Sequence, residues 1–116
     1  MDIAGGSSAE FEGWVICGVS GSASSRAALR WALREAQDRD APLMAVRVWP
    51  GGGARTRARA ERDLVELVVG AVRATGVHGR TWVRLVEGDP RAVLAALGDS
   101  ADLLVLGSHR PGALTG

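Results

Sequence analysis

The residues of this chain best suited to chemistry sit in a glycine turn near its end, "GSHRPGALTG", residues 107 to 116. Small residues at Gly107 and Gly112 let a backbone approach a phosphate. The N–H groups of such a turn, and of a helix starting after it, point at negative charge. Ser108 adds a hydroxyl donor, and Arg110 adds a guanidinium that meets phosphate as a rigid fork. His109 is a lone imidazole, for which a contact at a ligand's edge and plain exposure both stay open. This chemistry is anion binding. The chain has no Walker-type Gly-x4-Gly-Lys-Ser/Thr, no lysine, and no carboxylate pair beside the turn to hold Mg²⁺, so an enzyme is not expected.

Other reactive residue types carry plainer readings. Cys17 lies inside an apolar run and reads as a small buried hydrophobe rather than a redox thiol. His78, in "TGVHGRT", reads as a solvated loop residue. Ser22, Ser24 and Ser25 crowd a helix start, where Ser22 is the expected cap. The arginine run "RTRARAER" from Arg55 to Arg62 reads as a solvated loop and helix start. Nucleic-acid binding is not expected, because the net charge is +1 and no aromatic residues interleave with the run. The four tryptophans are expected to pack at sheet ends and on the first helix.

The elements that must position the turn follow from periodicity. "WVICGV", Trp14 to Val19, is a continuous apolar run, as in a strand buried on both faces. A helix is predicted from Ala23 to Arg39, with Ala28, Leu29, Ala32, Leu33 and Ala36 on one face and a Glu35–Arg39 pair on its surface. A second strand runs from Leu43 to Trp49, followed by "PGGGARTRA" as a loop. The second helix presents Leu64, Val65, Val68, Val69 and Val72 and stops near Gly76. Thr81 to Val86 is a third strand, and Arg84 places it at a sheet edge. A third helix has Asp89 as N-cap, Pro90 at its first position and Gly98 at its end. "DLLVLG" is a fourth strand. Strand–helix alternation of this kind specifies a parallel sheet with helices on its faces, and ligands bind beyond the C-terminal strand ends.

The totals agree with one domain: 116 residues, 47% hydrophobic, 23% charged and one cysteine. No apolar run is long enough for a membrane span, and the start, without a basic or apolar stretch, does not read as a signal peptide, so a cytoplasmic protein is expected. Residues 1–13 read as a flexible tail and 14–116 as the domain.

In "VICGVSGSASSRAALRWALREA", "APLMAVRVW", "VEGDPRAVL" and "ADLLVLGSHRPGALTG" the chain resembles the universal stress protein family. The resemblance implies a Rossmann-like open sheet of order 3-2-1-4-5 with helices on both faces. This sequence reaches only 3-2-1-4, so the fifth strand and fourth helix are expected to be absent. The resemblance further implies ATP or AMP, with Mg²⁺, at a Gly-x2-Gly-x9-Gly-Ser/Thr turn after strand 4. Gly107 and Ser108 match that turn's start, and Gly112 adds flexibility. Arg110 stands at the second glycine position, and positions 120 and 121 lie past the end. Gly18 and Ser20 fall after strand 1, where the family carries an Asp for the ribose, and Val48 falls at the adenine contact. Family members commonly form homodimers through the fifth strand, so self-association or pairing with another such chain is expected. Two functions stay open: a nucleotide-responsive regulatory module, and a degenerate member that acts only through protein–protein contacts.

Overall fold

The computed structural model describes residues 11–20 and 23–107. Four strands, β1 (Val15–Gly18), β2 (Leu43–Trp49), β3 (Thr81–Glu87) and β4 (Leu103–Leu106), alternate with three helices among these residues. The helices are α1 (Ala23–Arg39), α2 (Ala54–Thr75) and α3 (Pro90–Ser100). The strands form one parallel sheet in the order β3-β2-β1-β4. This is the order the family resemblance implies, with Arg84 on an edge strand as expected.

Right-handed crossovers put α1 and α2 on one face and α3 on the other. Strand alternation divides the core accordingly. Val15, Cys17, Leu43 and Ala45 pack with Leu29, Ala32, Leu33, Leu64, Val68 and Ala71 under α1 and α2. Ile16 and Val46 pack on the other side with Phe11, Leu94, Leu97 and Leu104. On that side α3 buries no residue completely, and β4 is only half-buried.

Four expectations need correcting. Phe11, read as tail, is buried against the Trp14 ring in an edge-on contact, and the Gly13 N–H donates to Asp102 Oδ1 at 2.9 Å. Residues 11–13 therefore close the N-terminal end of the sheet. The loop after β2 is shorter than expected, because α2 already begins at Ala54. Alanine and arginine are both strong helix formers, and the charged residues face solvent. The buried stripe of α2 is Ala60, Leu64, Val68 and Ala71, while Val65 and Val69 are exposed. Ala60 and Ala71 join Leu64 and Val68 in the close-packed positions, in place of Val65 and Val69. Finally, α3 runs through Gly98 to Ser100. A Cβ at Gly98 would lie 2.8 Å from Leu104 Cδ2, so this glycine lets the helix approach β4 instead of ending it.

Local signals hold elsewhere. Gly76 ends α2 in the left-handed region at φ 73°, with its N–H on the Val72 carbonyl. Asp89 caps α3, accepting from the Ala92 N–H at 2.9 Å. Glu35 and Arg39 pair at 2.9 Å. No helix among the described residues is long and apolar enough to cross a membrane.

Candidate functional site

At the C-terminal end of the sheet, Val46, Gly18 and Leu106 lie side by side in register across β2, β1 and β4. All three face α3. Gly18 contributes no side chain: a Cβ there would stand 2.8 Å from Leu106 Cδ2 and 3.0 Å from Leu94 Cδ1. The missing side chain lets the Leu106 and Leu94 tips close over the strand there, and Leu94 and Pro90 of α3 form one wall. Val48, two residues further along β2, extends the floor. The result is a cleft of about 320 Å³, which Ser20, Ser25 and Gly107 close at the strand ends. Such a volume is at the small end of ligand pockets, and the mixture of apolar walls with a few polar groups is their usual composition.

Two contacts fix the rim. The Ser20 N–H donates to the buried Ser25 Oγ at 2.7 Å, which folds the residues after β1 back on the first turn of α1. Gly107 leaves β4 directly over that turn. A Cβ on it would meet the Ser24 carbonyl oxygen at 2.7 Å and the Ser25 nitrogen at 2.9 Å. Both partners are backbone and cannot yield as a side-chain tip would. Glycine is thus required here for close packing of two chain segments, whatever the turn binds.

Of the sequence-derived candidates, Gly18, Ser20, Val48 and Gly107 meet at this one cleft. Ser108, His109, Arg110 and Gly112 lie outside the described residues, as does the expected cap Ser22. Sequence reasoning missed Leu94, Leu106 and Ser25. The first two fall inside the third helix and the fourth strand, with nothing in the pattern to mark them. The third was one of three serines at a helix start, with nothing to single it out. Asp102 is at the opposite end of the sheet, where its N–H donates to the Trp14 carbonyl.

The cleft lining contains no carboxylate among the described residues. Nor do those residues hold any group of three or more His, Cys, Asp or Glu placed for a metal ion. Cys17 lies under α1 and α2, fully buried, and desolvation pushes its thiol up to about 12. It is protonated and unreactive in the folded chain.

An open parallel sheet of this order, with its cleft at the β1/β4 switch point, defines a Rossmann-like α/β domain. The sequence matches the profile of the Universal stress protein family over residues 14–116, and the chain belongs to that family. It is similar to the crystal structure of protein Rv1636 from Mycobacterium tuberculosis H37Rv at 28% identity and a TM-score of 0.67, over 89% of this chain and 76% of that one. It is also similar to a universal stress protein solved in complex with cAMP, at 28% identity and TM-score 0.62, over 78% and 68% of the two chains. A universal stress protein family member from Burkholderia pseudomallei matches at 28% identity and TM-score 0.60, over 90% and 85%. A search of curated proteins finds no match.

Proposed function

We propose that this chain is a regulatory module that binds an adenine nucleotide in the cleft at the ends of β1, β2 and β4. The observation that carries the reading is the meeting of Gly18, Ser20, Val48 and Gly107 on one cleft. The aliphatic floor of Val46, Val48 and Leu106 suits the flat apolar face of a purine. Ser20 lines the cleft where the family carries a ribose-binding Asp, though a serine cannot bridge two ribose hydroxyls as a carboxylate would. The relative solved with cAMP supports a nucleotide monophosphate as readily as ATP. With no carboxylate in the described lining, the residues present fit a nucleotide whose metal, if any, arrives on its phosphates. The module binds its ligand without turning it over, works in the cytoplasm, and signals through assembly with a second copy or another member of its family.

The test is thermal unfolding with and without millimolar cAMP, AMP or Mg·ATP. A ligand at about 100 times its Kd adds roughly 2.7 kcal/mol. In a domain of this size that raises Tm by roughly 10 °C. Val48→Glu should abolish the shift and keep a cooperative transition. A cooperative transition that no nucleotide moves would favour the interaction-only function, which the exposed Leu106 and Trp82 side chains already make reasonable.

A further inference from the structure

The opposite face of the sheet carries a second cavity, of about 420 Å³, between α1 and α2. It shares the residues Val19 and Ser20 with the cleft but opens on the other side of β1. Its chemistry centres on Arg47. This residue is on β2, an interior strand, and the alternation that buries Leu43 and Ala45 under the helices sends Arg47 the same way. A helix-covered parallel strand is ordinarily apolar at such a position. Arg47 is half-buried, and neither ion pair among the described residues includes it. A guanidinium drawn partly out of water without a partner is costly, which favours an anion at this point.

The facing wall has the opposite sign. Asp63 and Glu66 of α2 line the same cavity, and neither pairs with Arg47. Leu64 and Leu67 of the same helix line it as well, and Arg26 of α1 adds to the lining. A simple anion would meet Arg47 but also the two carboxylates. A simple cation would meet the reverse. A small molecule carrying both charges, with an apolar group for the leucines, satisfies every wall.

We infer that this cavity is a binding site for a small zwitterion of the α-amino-acid type, with its carboxylate on Arg47 and its ammonium on Asp63 or Glu66. The inference does not rest on the nucleotide reading, since the two cavities open on opposite faces of the sheet and share only Val19 and Ser20.

The experiment is a two-dimensional amide NMR titration of the full chain with three probes. These are L-leucine, 4-methylpentanoate, which lacks the ammonium, and isopentylamine, which lacks the carboxylate. Leucine should give saturable shifts centred on Arg47 and on residues 63–67, and each half-molecule should bind at least about tenfold more weakly. Arg47→Met, which keeps an apolar stem, should cost a similar factor. The exposed pair Asp63→Asn with Glu66→Gln, which cannot unfold a core, should do so too. Saturating cAMP should leave the leucine shifts in place. The site is wrong if leucine gives no saturable shifts at millimolar concentration. It is also wrong if 4-methylpentanoate binds as well as leucine, if the α2 double variant binds unchanged, or if cAMP competes.

Discussion

At the residue scale, two glycines that look alike in the sequence do different work. Gly107 faces unyielding backbone at the start of α1, whereas Gly18 faces the ends of two leucine side chains. Gly107→Ala should therefore cost more than Gly18→Ala, with overpacking of about 1–3 kcal/mol for the first and the low end of that range for the second. Their effects on ligand should differ in the same residue-specific way. Gly107→Ala displaces the rim, while Gly18→Ala pushes the Leu94 and Leu106 tips aside at the cleft floor and should weaken nucleotide with a smaller loss of stability. Urea midpoints paired with nucleotide titrations distinguish the two. Equal stability losses would mean that the β4 exit moves freely from α1. This contrast was not legible in the sequence, which marks Gly107 as a phosphate glycine and is silent on the helix turn beneath it. Arg47 escaped notice for a related reason. Within "LMAVRVW" a single charge does not disturb an apolar pattern, and only strand alternation shows which face it enters.

At the element scale, the parts written in local code were readable and the parts set by packing were not. Asp89-Pro90 fixes the start of α3 through one side-chain hydrogen bond. Asp89→Ala should lose about 1 kcal/mol, measured as a shift in urea midpoint, and no shift would mean that water caps the helix equally well. Gly76 likewise stops α2 by backbone conformation alone. By contrast, the inward face of α2 depends on which residues fit against β2 and β3, and Ala60 and Ala71 are turned inward with Val68 while Val65 and Val69, which hydrophobicity favours, are turned out. The N-terminus of α2 is a weak point of its own. Gly53 offers no side-chain cap, and the first turn has no acidic residue and carries Arg55 and Arg57. Positive charge there opposes the helix dipole. Arg55→Glu on this exposed turn should stabilise the chain by a few tenths to about 1 kcal/mol at low salt, with the gain shrinking as salt is added. A loss of stability would show that Arg55 has a partner in solution. Arg57 is not an equivalent choice, since its guanidinium lies 5.8 Å from the Trp49 ring centre.

For the whole molecule, the two faces of the sheet are unequal, and Cys17 lies on the well-buried one, fully excluded from water. This gives global stability an unusually clean dependence on alkaline pH. The thiol is pushed from its ordinary value of 9.0 up to about 12, by desolvation. Above pH 9 the unfolded chain releases the proton and the folded chain keeps it. The stability owed to this group is thus complete below about pH 9 and declines as pH rises toward 12, by up to about 4 kcal/mol. In most proteins lysine and tyrosine titrate in that window and hide the effect. This chain has neither, and its arginines stay charged throughout. Urea unfolding from about pH 8 to 11 should therefore show a falling midpoint for the native chain. Cys17→Ala should start lower, because of the cavity it leaves, and stay flat across the same range. A parallel decline in both proteins would place the alkaline sensitivity elsewhere. A flat profile in both would mean that the thiol is solvated in solution and its titration is not shifted by burial.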